Sequence, residues 1–112
     1  MKSFTNLEES NKLAEILPIE SADMWYHGHY SPLESERKYD DKPCPFHSMF
    51  PNWDEPCWSL TALLDILPSS TLDSSNDHYY RLHCMGRFTE WYGNPIDACY
   101  EMILKLYKQN IL

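Results

Sequence analysis

The final nineteen residues, Asn94 to Leu112, constrain the fold of this chain more than any other stretch. Asn94 is a good helix N-cap, because its side-chain oxygen can accept from an orphan backbone amide. Pro95 suits the first helical position, where its missing N–H is not needed. Asp97 follows three residues after the cap, and Lys105 and Lys108 fall in the last turns, so charge complements the helix dipole at both ends. Ile96, Cys99, Ile103, Leu106 and Tyr107 recur at helical spacing, which makes one face apolar and requires that it be buried. This segment specifies a structural helix and carries no chemistry of its own.

Two more helices can be read upstream. Thr5-Asn6-Leu7-Glu8 has the form of a capping box, followed by the apolar stripe Leu7, Leu13, Ala14, Ile16 and Leu17, which Pro18 ends. Glu20 to Met24 has the composition of one further turn. Ser59 is placed to cap a second helix whose Leu60, Leu63, Leu64 and Leu67 lie at i, i+3, i+4 and i+7, with Pro68 closing it. Ser69 to Asp77 reads as a polar loop. From His78 to Met85 residues alternate, with Tyr80, Leu82 and Cys84 on one face and Tyr79, Arg81 and His83 on the other, the pattern of a half-buried strand. Gly86 turns the chain and Arg87 to Trp91 returns as its hairpin partner.

Between about 27 and 55 the periodicity dissolves. The segment holds Pro32, Pro43, Pro45 and Pro51, the charged run Glu34 to Lys38 and the pair Asp40-Asp41. It reads as a long Pro-rich surface loop, with room for short strands at Arg37 to Tyr39 and Phe46 to Phe50. The expected fold class is α+β: a small antiparallel sheet packed against about three helices, in a single domain covering residues 1–112.

A chain of 112 residues that is 43% apolar, with four Trp, eight Tyr and four Phe, can build a core without a staple. Seventeen carboxylates oppose nine Lys and Arg, a formal charge of -8, and the basic residues are scattered rather than clustered. That scatter argues against direct nucleic-acid binding, which draws most of its affinity from grouped cations. MKSFTNLEES has no apolar h-region, and no run approaches the roughly 18 apolar residues of a membrane span. The expectation is a soluble intracellular protein without membrane association, whose Cys44, Cys57, Cys84 and Cys99 are reduced thiols.

Few residue patterns point to chemistry. His27 and His29 with Cys44 and His47 could supply a tetrahedral zinc site, since zinc favours imidazole and thiolate; the spacing lacks the usual second matched pair. Zinc is therefore the alternative, either in a binding module or in a metal-dependent hydrolase, and the leading reading has no cofactor and no catalytic residue. Cys57 precedes a helix start, but Cys57, Cys84 and Cys99 all fall on or beside apolar faces, where packing is the plainer role. No nucleophile elbow occurs, and three glycines leave no phosphate-cradling loop. Glu8-Glu9 and Asp97/Glu101 suit helix starts, while Asp40-Asp41 and Asp54-Glu55 read as solvated loop charge. The surface carboxylates could also imitate a phosphate backbone. Trp25, Tyr26 and Trp53 are the candidates for a protein interface, whereas Trp58 belongs to the core.

Pro56-Cys57-Trp58-Ser59-Leu60, Ser21 to Met24, and Asn94-Pro95-Ile96-Asp97-Ala98-Cys99 together resemble a group of small proteins of Bacteroidales bacteria and of their phages and mobile elements. The likeness spans most of the chain except His27 to Phe50. It implies the setting of an accessory protein of phages or mobile elements in the bacterial cytoplasm, and transfers no site residue. The functional expectation is thus a non-enzymatic interaction protein, acting on another protein such as a host defence factor or a nucleic-acid-binding protein.

Overall fold

A computed structural model describes residues 2–31 and 34–112. The elements run α1 (Leu7–Ile16), β1 (Met24–Tyr26), β2 (Gly28–Ser31), β3 (Glu34–Tyr39), β4 (Glu55–Cys57), α2 (Leu60–Ile66), β5 (Ser70–Ser74), β6 (Tyr80–Cys84), β7 (Arg87–Phe88) and α3 (Pro95–Lys108), with single 3-10 turns at Ile19–Ser21 and Pro51–Trp53. Three helices with small antiparallel sheets make this an α+β fold. The chain forms two compact units, one of residues 5–59 and one that joins residues 1–4 to 60–112. No helix among the described residues is long and apolar enough to cross a membrane.

In the 5–59 unit, α1 is capped one residue later than the sequence pattern suggests. Asn6, not Thr5, accepts from the Glu9 amide at 2.8 Å, and the Glu9 carboxylate accepts from the Asn6 amide at 3.0 Å. Thr5 is fully buried instead. Its hydroxyl meets Ser10 Oγ at 2.8 Å and accepts from the Trp58 amide at 3.1 Å, and its own amide donates to the Trp58 carbonyl at 3.0 Å. Helix α1 packs on β4, which pairs with β1. Trp25 lies opposite Pro56, which has no N–H to offer, and spends its own amide and carbonyl on Cys44 of the Pro-rich segment, both at 2.8 Å. The core of this unit is Leu13, Leu17, Ala22, Tyr26, Cys57 and Trp58.

The expected long loop at 27–55 contains a hairpin: β2 pairs with β3 in the register Gly28↔Tyr39 and His29↔Lys38. A charged strand carries no apolar alternation, so periodicity does not report it. Only β3 meets the anticipated strand at Arg37 to Tyr39. Phe46 to Phe50 is not a strand, and Glu20 to Met24 gives a 3-10 turn and the start of β1 rather than a helical turn. Pro32 lies outside the described residues.

In the other unit, α3 begins as expected, with Asn94 Oδ1 accepting from the Asp97 amide at 2.9 Å. Ile96, Cys99, Ile103 and Leu106 are fully buried, together with Met102, whereas Tyr107 is 45% exposed and does not join that face. α3 packs on α2 and on β6. The polar stretch after Pro68 is not all loop, because β5 pairs with β6 from Ser70↔Cys84 to Ser74↔Tyr80. β6 buries Leu82 and Cys84, and turns into β7 through Met85 and Gly86, both at positive φ (51° and 78°), as a two-residue hairpin turn requires.

Candidate functional site

The feature of the 5–59 unit that packing does not explain is the loop from Phe46 to Trp53. Phe46 is 64% exposed, Met49 90% and Phe50 54%. Burying such side chains is worth roughly 1.5–3 kcal/mol each, so a loop that holds three in water needs something to hold it. The holder is Asp54, whose side chain is completely inaccessible. Its carboxylate accepts from Ser48 Oγ at 2.7 Å, from the Ser48 amide at 2.8 Å, from His47 Nδ1 at 3.0 Å and from the Gly28 amide. Burial by itself would raise the Asp54 pKa, but these donors together outweigh it and hold the carboxyl below its ordinary value. The reading of Asp54 as solvated loop charge is therefore corrected: it is the buried anchor of the loop.

Further contacts set the loop's shape. The Phe50 amide donates to Ser48 Oγ at 3.2 Å, the Trp53 amide to the Phe50 carbonyl at 2.9 Å, and the Asp54 amide to the Pro51 carbonyl at 3.2 Å. The Phe50 and Trp53 rings stack with centroids 4.7 Å apart and planes at 25°. The His47 ring lies 4.2 Å from that of Trp25, so β1 meets the base of the loop through an aromatic contact. His27 Nε2 pairs with the Phe46 carbonyl at 2.8 Å, and the His27 carbonyl accepts from the Asp40 amide at 3.0 Å. The exposed Asp40 is thereby linked through His27 to the loop.

Of the three residues expected at an interface, Trp25 and Trp53 are half-buried and border this loop. Tyr26 does not face solvent: it is 3% exposed, and its hydroxyl donates to the Thr5 carbonyl at 2.8 Å. Burial first, and the neighbouring Cys57 second, push its phenol above the ordinary range. Tyr26 is a core residue.

The four candidate zinc ligands are not gathered. His27 turns to the Phe46 carbonyl, His29 Nε2 to Asp40 at 2.7 Å and His47 to Asp54, while Cys44 contributes the backbone bridge to Trp25. Among the described residues, no group of three or more His, Cys, Asp or Glu side chains is placed to hold a metal. No family model matches the chain, and no curated protein or solved structure does either.

The remaining thiols lie in packed surroundings. Cys57 is fully buried and Sγ donates to the Thr5 carbonyl at 3.3 Å; burial raises its pKa against the opposing hydrogen bonds from Thr5, Ser10 and Tyr26. Cys99 is fully buried and pushed up to about 12 by burial. Cys84 is 1% exposed and also raised by burial. Asp97 supports the Asn94 cap of α3, accepting from Asn94 Nδ2 at 2.8 Å, and pairs with Lys2.

Sequence reasoning passed over Phe46, Ser48 and Met49 as site residues and took Asp54 for solvated charge; Phe50, beside Trp53, was already an aromatic candidate. The available signal was Ser48 and Asp54 bracketing a short apolar stretch that contains Pro51, since Ser and Asp side chains close such turns. Charge is also uneven along the chain. Residues 5–59 hold eleven carboxylates against Lys12, Arg37, Lys38 and Lys42, which is -7 of the formal -8.

Proposed function

We propose that this chain is a non-enzymatic protein-interaction module that presents the Phe46–Trp53 loop to a partner with an apolar pocket and a basic rim. The observation that carries this reading is the Asp54 anchor: a fully buried carboxylate with four donors holds Phe46, Met49 and Phe50 in solvent. Exposed Phe and Met beside Trp are the composition of interface cores. The -7 charge of the surrounding residues complements a basic rim and speeds its encounter. The burial of Cys57 and Cys99 supports a role without a nucleophile. The resemblance to small proteins of Bacteroidales phages and mobile elements supplies the setting, in which a host nucleic-acid-binding or defence protein is a fitting partner.

The test compares wild type with the Met49→Ser/Phe50→Ser variant as baits in a Bacteroidales lysate, after circular dichroism establishes that both fold. The expected result is a stoichiometric, basic partner held by wild type and lost by the variant. Recovery of the same proteins by both baits would overturn the proposal.

A further inference from the structure

The outward face of β6 in the other unit carries an alternation of cation and ring that ends in an open position. Arg81 pairs across the sheet with Asp73, and its Nη2 lies 3.2 Å from Asp73 Oδ2. Its guanidinium carbon lies 4.6 Å from the ring centroid of Phe88 and 4.6 Å from that of Trp91, so it is clasped between two aromatic faces. Beyond Phe88, the His83 ring stacks at 4.2 Å with planes only 4° apart. Arg81 Nε is buried and has no hydrogen-bond partner among the described residues, so the rings and Asp73 are what position the side chain. Trp91 is 44% exposed, Phe88 48% and Tyr79 50%.

Reciprocal backbone hydrogen bonds between Tyr80 and Tyr92, at 2.7 and 2.8 Å, put Trp91 opposite Arg81 and bring Tyr79 to the same end of the sheet. There a shallow cavity of about 320 Å³, open to solvent, is lined by Trp91, Tyr79, Ser75 and Asp77. Its rim is ordered. Ser75 Oγ accepts from the amides of Asp77 and Tyr79 at 3.3 and 3.2 Å, and the Ser75 amide donates to the Tyr79 carbonyl at 2.9 Å. The positive charge of Arg81 is answered by Asp73, which leaves the exposed Asp77 to answer another.

We propose that this cavity is a binding site for a guanidinium cation, which enters between Trp91 and Tyr79 with Asp77 as its counter-ion. Two aromatic walls and one carboxylate are the recognition chemistry of an organic cation, since the ring faces are negative and desolvate the ligand without removing its charge partner. Trp91 already receives one guanidinium from Arg81, so a second guanidinium continues an arrangement the sheet has built. The site is independent of the Phe46–Trp53 loop.

The full chain labelled with ¹⁵N is titrated with N-acetylargininamide, with the neutral isostere N-acetylcitrullinamide, and with a blocked alanine peptide containing one arginine. The indole N–H of Trp91 reports binding, assigned with Trp91→Phe. The expected result is a saturable shift with both arginine probes and none with citrulline, together with weakening of about five-fold in Asp77→Asn, as one exposed charge contact is worth. Tighter binding of the peptide than of the amide assigns the site to a polypeptide arginine, and equal binding assigns it to a free small cation; either supports the proposal. An unmoved Trp91, citrullinamide binding as well as argininamide, or Asp77→Asn titrating like wild type would overturn it. Asp77 is exposed and has no core role, so its variant keeps the test clear of unfolding.

Discussion

Lys2 Nζ lies 2.7 Å from Asp97 Oδ1, an ion pair between residues 95 positions apart. It fastens the start of the chain to the first turn of α3, within the unit that residues 1–4 share with 60–112. The two side chains are 26% and 31% exposed, so the pair itself is worth about 0.5–1 kcal/mol. Asp97 does more, since Asn94 Nδ2 donates to Asp97 Oδ2 at 2.8 Å and its charge faces the helix N-terminus. Lys2→Met is expected to cost about 0.5–1 kcal/mol and Asp97→Ala about 1–2 kcal/mol in urea denaturation. The reverse order would mean that Asp97 does not support the cap.

Thr5 joins α1, β1 and β4 through one hydroxyl and one carbonyl. Replacing it with Val keeps the shape and leaves the Trp58 amide and Ser10 Oγ short of a partner in a buried place. Thr5→Val is expected to destabilise the protein by about 1–3 kcal/mol. Thr5→Ser keeps the hydroxyl and loses one methyl, about 0.8 kcal/mol. A smaller loss for Thr5→Val than for Thr5→Ser in thermal or urea unfolding would show that the methyl, and not the hydroxyl, is what matters.

These cases show what the sequence could and could not reveal. α3 is legible because cap, proline, charge and apolar period all agree from Asn94 to Lys108, and β6 is legible because Leu82 and Cys84 alternate with Arg81 and His83. β5, with the sequence Ser-Thr-Leu-Asp-Ser, and the hairpin of β2 with β3 are paired by backbone hydrogen bonds and carry no apolar period, so beyond the short stretch Arg37 to Tyr39 nothing local marks them as strands. Thr5 and Asn6 are both competent caps, and only burial decides between them. Trp25 and Trp53 were identifiable as aromatic candidates, but burial of Tyr26 and Asp54 is a tertiary fact. An aspartate in a Pro-rich segment looks solvated until its donors are brought to it.

Thiol labelling distinguishes the four cysteines. Cys57, Cys84 and Cys99 are buried with pKa values raised by burial, and Cys44 is half-exposed at a backbone bridge. The thiolate is the reactive form, so burial protects these three twice, through access and through protonation. One fast maleimide equivalent per native chain, mapped to Cys44, is expected, with all four reacting in denaturant. Fast labelling of Cys99 in native protein would contradict its packing against the α3 core.

The Asp54 anchor predicts a pH dependence of definite sign. Its folded pKa lies below the unfolded value because the hydrogen bonds from Ser48, His47 and Gly28 outweigh burial. The stability it contributes is therefore fully present above the unfolded carboxylate pKa and is lost as pH falls through the lower folded pKa. Asp54→Asn presents an amide N–H₂ where two or more donors converge, leaving buried polar groups unmatched at a cost of about 1–3 kcal/mol at neutral pH. Urea denaturation of wild type and variant from pH 6 down to pH 2 isolates this group, because the other carboxylates titrate in both. The stability gap is expected to be constant near neutrality and to shrink as the pH drops through the acid range. In the same series the ¹H resonances of Met49 and Phe50 report whether the loop loosens with the anchor. A gap that widens on acidification would show that Asp54 is protonated in the native protein and that the loop is held in water by something else.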